Sequence, residues 1–281
     1  MLLVLVAACG DSVSNGTYRQ FGAYVTSIGF MYEAEFEVAV RAVKDAEKTF
    51  REYFGTKTQV ETKQEDYRNL VSYADKHIEE QIRSFLYSQN ASYGFVGEES
   101  GASESDAEYV WALDPIDGTS NYLQGIPECA ISLALLKKDE PVLGIVSAPL
   151  LEKFYSGYLQ GGALLNDKSI RVSDVNDISH AFGGLGWGRK SGFGTRILPH
   201  LLPLVLKLRV PGSAALGISY VASGNYDFFL HAGLHIWDYA AAEIILREAG
   251  GVLHKKGESK TIVAANAALA DDIVQRFGEI F

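Results

Sequence analysis

The stretch WALDPIDGTSNYLQG, residues 111–125, decides how this chain is read. An apolar run ends on Asp114 and Asp117, two carboxylates flanking Pro115 and Ile116, and Gly118 and Thr119 follow at once. Asp, Pro and Gly are the ordinary residues of a surface turn, and a turn alone would explain the pattern. The same spacing also suits a site for hard cations and phosphate. Pro115 fixes its own φ and keeps Asp114 extended. A turn at Ile116 then sets Asp114 and Asp117 on one side, with the Ile116 carbonyl between them. Gly118 lets the backbone come close to a ligand. If a short helix opens near Thr119, the amides of Gly118 and Thr119 face the same place, where a phosphate can sit.

Composition narrows the choice. A chain of 281 residues supports one large domain or two that share an interface. With 47% hydrophobic and 21% charged residues it has the make-up of an ordinary globular protein. The formal charge of −10 and scattered Lys and Arg argue against nucleic acid, which needs a basic stripe. The expected partner is a small molecule or another protein. Cys9 and Cys129 are the two cysteines, too few for a disulfide framework or a cysteine zinc site. The expectation is that oxygen ligands carry any metal.

Residues 1–30 do not resemble the rest of the chain. MLLVLVAAC has the length of a signal h-region but lacks a basic n-region, and it is too short to span a bilayer. Val6-Ala7-Ala8-Cys9 resembles a lipoprotein cleavage box, so export with a lipid on Cys9 is one reading. The other, which is the expectation, is initiation at Met31 and a cytoplasmic protein without a membrane anchor.

From Met31 to Phe54 the period is helical, with Phe36, Val40, Val43, Phe50 and Phe54 on one face and Ala39, Ala42 and Ala46 beside them. TKTQVETKQEDYRN is polar and reads as an exposed loop or hairpin carrying Lys57 and Lys63. A second helix is expected from about Ser72, with Ser72-x-x-Asp75 as its cap and Ile78, Ile82, Phe85 and Leu86 buried. Short strand-like runs come next in succession, from YGFVG through KFYSGYL, with a turn at Asn166-Asp167. Strands after two helices predict a largely antiparallel sheet with helices on one side. Beyond Ser179, strands alternate with helices expected near 193–206, 213–223 and 237–248 and at the C-terminus, an α/β texture. The division is therefore 1–30, an N-terminal α+β part at 31–178 and a C-terminal α/β part at 179–281. Neither nucleotide-loop pattern, G-x-G-x-x-G or G-x-x-x-x-G-K-[ST], is present.

Three stretches leave acids at element ends: FVGEES with Glu98 and Glu99, ALDPIDGTSN with Asp114 and Asp117, and IWDYAAAEIILREAGG with Asp238. Singly, Glu98 is a solvated loop acid, Asp117-Gly118 a turn and Asp238 a helix N-cap. Jointly those explanations weaken, because each acid is reached from a hydrophobic run that buries its neighbours. Carboxylates brought together repel unless cations hold them. Mg²⁺ favours oxygen ligands and retains waters, and two ions about 3.5–4 Å apart clamp a phosphoryl group.

GEES, DPIDGTSNY and WDYAAAEIILREAGG together resemble the inositol monophosphatase family of magnesium-dependent, lithium-sensitive phosphatases, and GGALLNDKSIRVS and PGSAALGISYVASGNYD resemble its connecting segments. The resemblance runs in the family's order from about Met31 to Phe281. It implies a layered α-β-α-β-α sandwich of the inositol monophosphatase/fructose-1,6-bisphosphatase type and a homodimer. It further implies Mg²⁺-assisted hydrolysis of a small phosphate monoester by in-line water attack, without a covalent intermediate. Carried onto this sequence, Glu98, Asp114 and the Ile116 carbonyl hold a first ion. Asp114, Asp117 and Asp238 hold a second, and Asp75 helps place a third through water. Glu98 and Thr119 orient the attacking water, and the Gly118 and Thr119 amides take phosphate oxygens. Gly212, Ser213 and Ala214 line the sugar or polyol end, and Lys63 sits in a mobile closing loop. One departure stands out. Six residues before the Trp237-Asp238 pair, where many members have a glutamate that holds substrate hydroxyls, this chain has His231. It is either a different reader of the leaving group or a partly buried histidine that touches nothing reactive. Inositol-1-phosphate is the expected substrate. The rival activities are fructose-1,6-bisphosphatase, histidinol-phosphatase and 3′-phosphoadenosine-5′-phosphate phosphatase. A regulatory role with transcription machinery, found in some bacterial relatives, is the rival of another class. A dead scaffold is disfavoured because every ligand type is present.

Overall fold

The computed structural model describes residues 32–55, 60–62, 70–103, 107–188, 192–256 and 261–281; residues 1–30 with Cys9, and Lys57 and Lys63, lie outside that set. Helix α1 (Glu33–Tyr53) buries Ala39, Ala42, Val43, Ala46 and Phe50. Phe36 and Val40 flank that contact half-buried. Helix α2 (Tyr73–Gln89) buries Ala74, Ile78, Ile82 and Leu86, with Asp75 in its first turn. Between them β1 (Val60–Thr62) and β2 (Leu70–Ser72) pair antiparallel, so the polar stretch is framed by a hairpin.

The first large sheet contains β3 (Gly94–Gly97), β4 (Gly101–Ser103), β5 (Tyr109–Asp117), β6 (Ala130–Lys137), β7 (Glu140–Ala148), β8 (Lys153–Tyr158), β9 (Gly162–Leu165) and β10 (Lys168–Ser169). Their order is β10-β9-β8-β7-β6-β5-β3-β4. Every neighbour is antiparallel except β3 and β5, which run parallel. The β9–β10 turn is made by Asn166 and Asp167, both at positive φ.

The second sheet has β11 (Phe182–Leu185), β12 (Lys207–Arg209), β13 (Phe228–His231), β14 (Val252–Lys256) and β15 (Thr261–Ala265), in the order β12-β11-β13-β15-β14. β12, β11 and β13 are parallel, and β15 and β14 antiparallel, which makes the sheet mixed. Helices α4 (Phe193–Leu201), α5 (Ala214–Ala222), α6 (Ile236–Glu248) and α7 (Ala267–Phe277) complete the chain after the short α3 (Thr119–Gln124). Helix α4 is shorter than the 193–206 expected. Pro203 has no N–H to continue the ladder, and residues 207–209 leave to pair with β11.

Three buried clusters show the layering. One joins α1 and α2 to Leu113, Ile131, Leu133 and Ile145 on one face of the first sheet. The second joins the other face, through Ala112, Ala134 and Val146, to α5 and α6 and on to Phe229 and Ala264. The third joins Phe228, Leu230 and Val263 on the far face of the second sheet to α4 and α7. The layers are therefore α-β-α-β-α. Strands covered on both faces carry nearly continuous apolar runs, as β6 does in AISLALL. Helix α6 lies very close to the first sheet. Gly144 faces it, and a Cβ there would stand 2.2 Å from the Ala241 carbonyl oxygen. Small residues at this contact, with Ala240, Ala241 and Ala242 opposite, set the height at which α6 begins.

Candidate active site

Four elements bring acids to one place. β5 carries Asp114, paired with Ser132, and Asp117, paired with Ala130. Three steps along β5 thus match two along β6, a bulge of one extra residue. Side chains three apart on a regular strand point to opposite faces, and the extra residue cancels that alternation. The expected turn at Ile116 is in fact this bulge within a continuing strand, and both aspartates line the same cleft. The Ile116 N–H donates to Asp114 Oδ1 at 3.0 Å, and the Ile116 side chain is buried against α1 and α2.

Glu98 follows the end of β3, and its N–H continues the pairing to the Leu113 carbonyl at 3.2 Å. Because β3 and β5 run parallel, their C-terminal ends lie side by side, which brings Glu98 next to Asp114. Asp238 comes from the first turn of α6, where its carboxylate accepts the His235 N–H at 2.7 Å. It is both a cap and a wall of the cleft. Asp75 is buried in α2, and its charge acts on Asp114, but it does not line the cleft.

The cleft has a volume of about 540 Å³. Glu98, Asp114, Asp117, Asp238, Gly118 and Thr119 form its acidic end. Gly212, Ser213, Ala214, Trp187 and His231 line the rest, together with the stacked pair His235 and Trp237, whose rings lie 4.7 Å apart. Gly118 at φ 90° ends β5 and opens α3, a left-handed position suited to glycine. A Cβ there would press on the Glu128 carbonyl at 3.0 Å and on the Gly212 carbonyl at 3.3 Å. Thr119 donates its hydroxyl to the Ile116 carbonyl at 3.0 Å, so its oxygen lone pairs remain to accept.

Asp117 is tied to the start of α5. It accepts from Ser213 Oγ, from the Ala215 N–H at 2.7 Å and from the Ala214 N–H at 3.2 Å. Asn121, inside the opening stretch, donates to the Glu128 carbonyl at 2.7 Å and the Pro211 carbonyl at 2.8 Å. These bonds stitch the acidic end to the segment Gly212–Ala214. Asn121 was not singled out from sequence, because its partners lie 7 and 90 residues along the chain, beyond any local signal.

Burial pushes the Asp114 carboxyl well above its usual range, and Glu98, Asp117, Asp238 and Asp75 add to the push through their charges. Burial lifts Asp117 to about 6, against the bonds from Ser213, Ala215 and Ala214. Asp238 is lifted to about 8 by burial, with the Asp117 and Glu98 charges adding and the His235 amide opposing. Such a set wants positive charge. Among the described residues, no three His, Cys, Asp or Glu side chains are already closed into a metal cage. Asp117 and Asp238 are turned to their helix caps and would have to share those oxygens with an ion. The donors are all oxygens, the chemistry that fits a hard divalent cation.

His231 lies at the end of β13 and lines the cleft. Its Nδ1 meets the Ala232 carbonyl at 3.0 Å; a carbonyl only accepts, so Nδ1 carries the proton and Nε2 is the acceptor. Burial pushes its pKa down to about 4. At neutral pH His231 is therefore a neutral acceptor in the cleft wall. Its ring also packs where a Cβ on Gly186 would sit. Lys63 is outside the described residues. No helix among the described residues is long and apolar enough to cross a membrane.

The profile of the inositol monophosphatase family matches residues 31–278. The chain is 36% identical over 246 residues to the fructose-1,6-bisphosphatase/inositol-1-monophosphatase of Aquifex aeolicus, covering 85% of this chain and 93% of that protein. It is 32% identical to Nus factor SuhB of Escherichia coli, covering 77% and 83%. Extragenic suppressor protein suhB of Bartonella henselae superimposes with a TM-score of 0.81 at 30% identity, over 87% of this chain and 98% of that one. The acids gathered from β3, β5 and α6 thus sit in a chain that belongs to the inositol monophosphatase family, a family of generally metal-dependent phosphatases.

Proposed function

We propose that the cleft hydrolyses a small phosphate monoester, inositol-1-phosphate first, with Mg²⁺ as cofactor. The observation that carries this is the burial of Asp114 among the charges of Glu98, Asp117, Asp238 and Asp75 beside the open backbone at Gly118. Glu98, Asp114, Asp117, Asp238 and the Ile116 carbonyl would hold two ions, with Asp75 behind a third. When bound, Mg²⁺ supplies Lewis acidity at the phosphoryl oxygens and at water.

The chain's own groups do the rest. Thr119 Oγ1, its proton committed to Ile116, accepts one O–H of the attacking water, and the Glu98 carboxylate accepts the other. Water attacks phosphorus in line; the new P–O bond forms as the ester P–O bond breaks, and the proton that the water loses passes to the leaving alkoxide. Backbone at Gly118 and Thr119 receives phosphate oxygens, and Gly212, Ser213 and Ala214 border the polyol. A cytoplasmic homodimer inhibited by lithium completes the proposal, with residues 31–178 and 179–281 as its two parts.

Asp114→Asn tests the site. The amide keeps the bond from the Ile116 N–H but loses the charge, so the fold should persist and turnover should fall by more than about a thousandfold. Half of wild-type turnover would sink the assignment. Assays on inositol-1-phosphate, fructose-1,6-bisphosphate, histidinol phosphate and 3′-phosphoadenosine-5′-phosphate rank the substrates. The Nus factor SuhB relative favours a second reading, a role beside transcription machinery. Such a role predicts that Asp114→Asn still retains its partner in a pull-down.

A further inference from the structure

Glu79 was not marked by the sequence, yet it is almost wholly buried, 3% exposed, one helical turn after Asp75 on α2. Its two carboxylate oxygens accept two consecutive backbone N–H groups, Oε2 from Glu99 at 3.0 Å and Oε1 from Ser100 at 2.8 Å. Those amides belong to the turn between β3 and β4, and the residue just before them is Glu98. Gly97 makes the approach possible, since a Cβ there would fall 2.4 Å from Glu79 Oε2 and 2.6 Å from Cδ.

We infer that Glu79 is a positioning residue: by holding the Glu99 and Ser100 amides it fixes the turn that aims the Glu98 carboxylate at Asp114. The inference rests on the metal-dependent reading of the cleft, because its consequence is the readiness of Glu98 to meet a cation. Buried hydrogen bonds to a charged acceptor are among the stronger ones, and two amides on one carboxylate restrain both the position and the rotation of the turn. The same helix carries Asp75, so a single rigid element sets the acid behind Asp114 and the turn beside it. Glutamine at position 79 can accept from one amide only, and its NH₂ would face the other. Loss of an outer support of this kind typically weakens metal binding by about 10- to 100-fold.

The test is Mg²⁺ binding by titration calorimetry to the full-length wild type, Glu79→Gln and Glu47→Gln. Glu47 is a comparably buried control, held by Lys44, Arg51 and Ser147 away from the turn. Glu79→Gln should bind Mg²⁺ at least about tenfold more weakly. The Mg²⁺ concentration for half-maximal turnover should rise with it, while kcat at saturating Mg²⁺ stays close to wild type. Glu47→Gln should lower the melting temperature and leave Mg²⁺ affinity alone. Equal Mg²⁺ affinity in Glu79→Gln and wild type overturns the inference and leaves the proposed function standing. A wild type that takes up no Mg²⁺ overturns that function and the inference with it. Should Glu79→Gln fail to fold, amide exchange on the wild type decides. Slow exchange at both Glu99 and Ser100 supports the clamp, and solvent-like exchange at either refutes it.

Discussion

Gly144→Ala should disable the cleft from a distance, through the helix that carries Asp238. Position 144 lies in β7 beneath α6, and a methyl group there would stand 2.2 Å from the Ala241 carbonyl oxygen and 2.6 Å from Ile244 Cγ2. Ordinary contact begins at 3.4 Å, so α6 must retreat by about 1.2 Å or β7 must sink into the layer below. The obstructing atom is backbone, which no rotamer change can move aside. Overpacking of this kind costs about 1–3 kcal/mol. At about 2–4 °C per kcal/mol for a chain of this size, the melting temperature should fall by roughly 2–12 °C.

Asp238 is one turn upstream of Ala241, and a misplacement of about 1 Å at a reacting centre costs about 100-fold in rate. Thermal unfolding and initial rates at saturating Mg²⁺ read both effects. Gly157→Ala is the matched control, because its Cβ would meet the Gly162 carbonyl at 3.2 Å and Ile245 Cα at 3.4 Å, a crowding of only tenths of an ångström. If Gly144→Ala keeps wild-type melting and rate, α6 does not set the position of Asp238 through this contact.

The metal-free protein should lose stability as pH rises. Asp114, Asp117 and Asp238 all have raised carboxyl pKa values, to about 6 for Asp117 and about 8 for Asp238. Their share of stability is whole below the unfolded value of 3.8 and is lost as pH climbs through the folded values. Mg²⁺ should therefore raise the melting temperature more at pH 8 than at pH 5, and the reverse ranking in thermal scans would refute this charge balance. His231→Glu replaces a neutral acceptor with an anion. It should raise the preference for inositol-1-phosphate over a bisphosphate, with a hydrogen bond to a charged group setting a scale of roughly 10- to 150-fold in relative kcat/KM. Two kcat/KM values that move together would show that His231 does not read the substrate.

Local signals were legible because they act over a few residues. The helical period of α1, the polar hairpin region, the Asn166-Asp167 turn and the opening of α3 at Thr119 all follow from nearest-neighbour chemistry. Helix α4 ends short of its expected boundary because the apolar pattern runs on past Pro203 into residues that pair with β11. His231 was visible as a residue type. Its protonation state was not, because desolvation and the Ala232 carbonyl belong to the folded environment.

Residue types and their order along the chain already show which side chains are available for chemistry: carboxylates at the ends of apolar runs, and glycines where backbone must approach closely. They do not say that β3 pairs parallel with β5, and that pairing is what lays Glu98 beside Asp114 instead of at the opposite end of the sheet. Nor do they say that a bulge, in place of a turn, aligns Asp114 with Asp117. The clamp of Glu79 on the Glu99 and Ser100 amides, and the seat of α6 over Gly144, join positions far apart in the chain. Strand direction, register and helix height are set by which surfaces fit when all the layers close together, a condition that exists in the folded molecule alone.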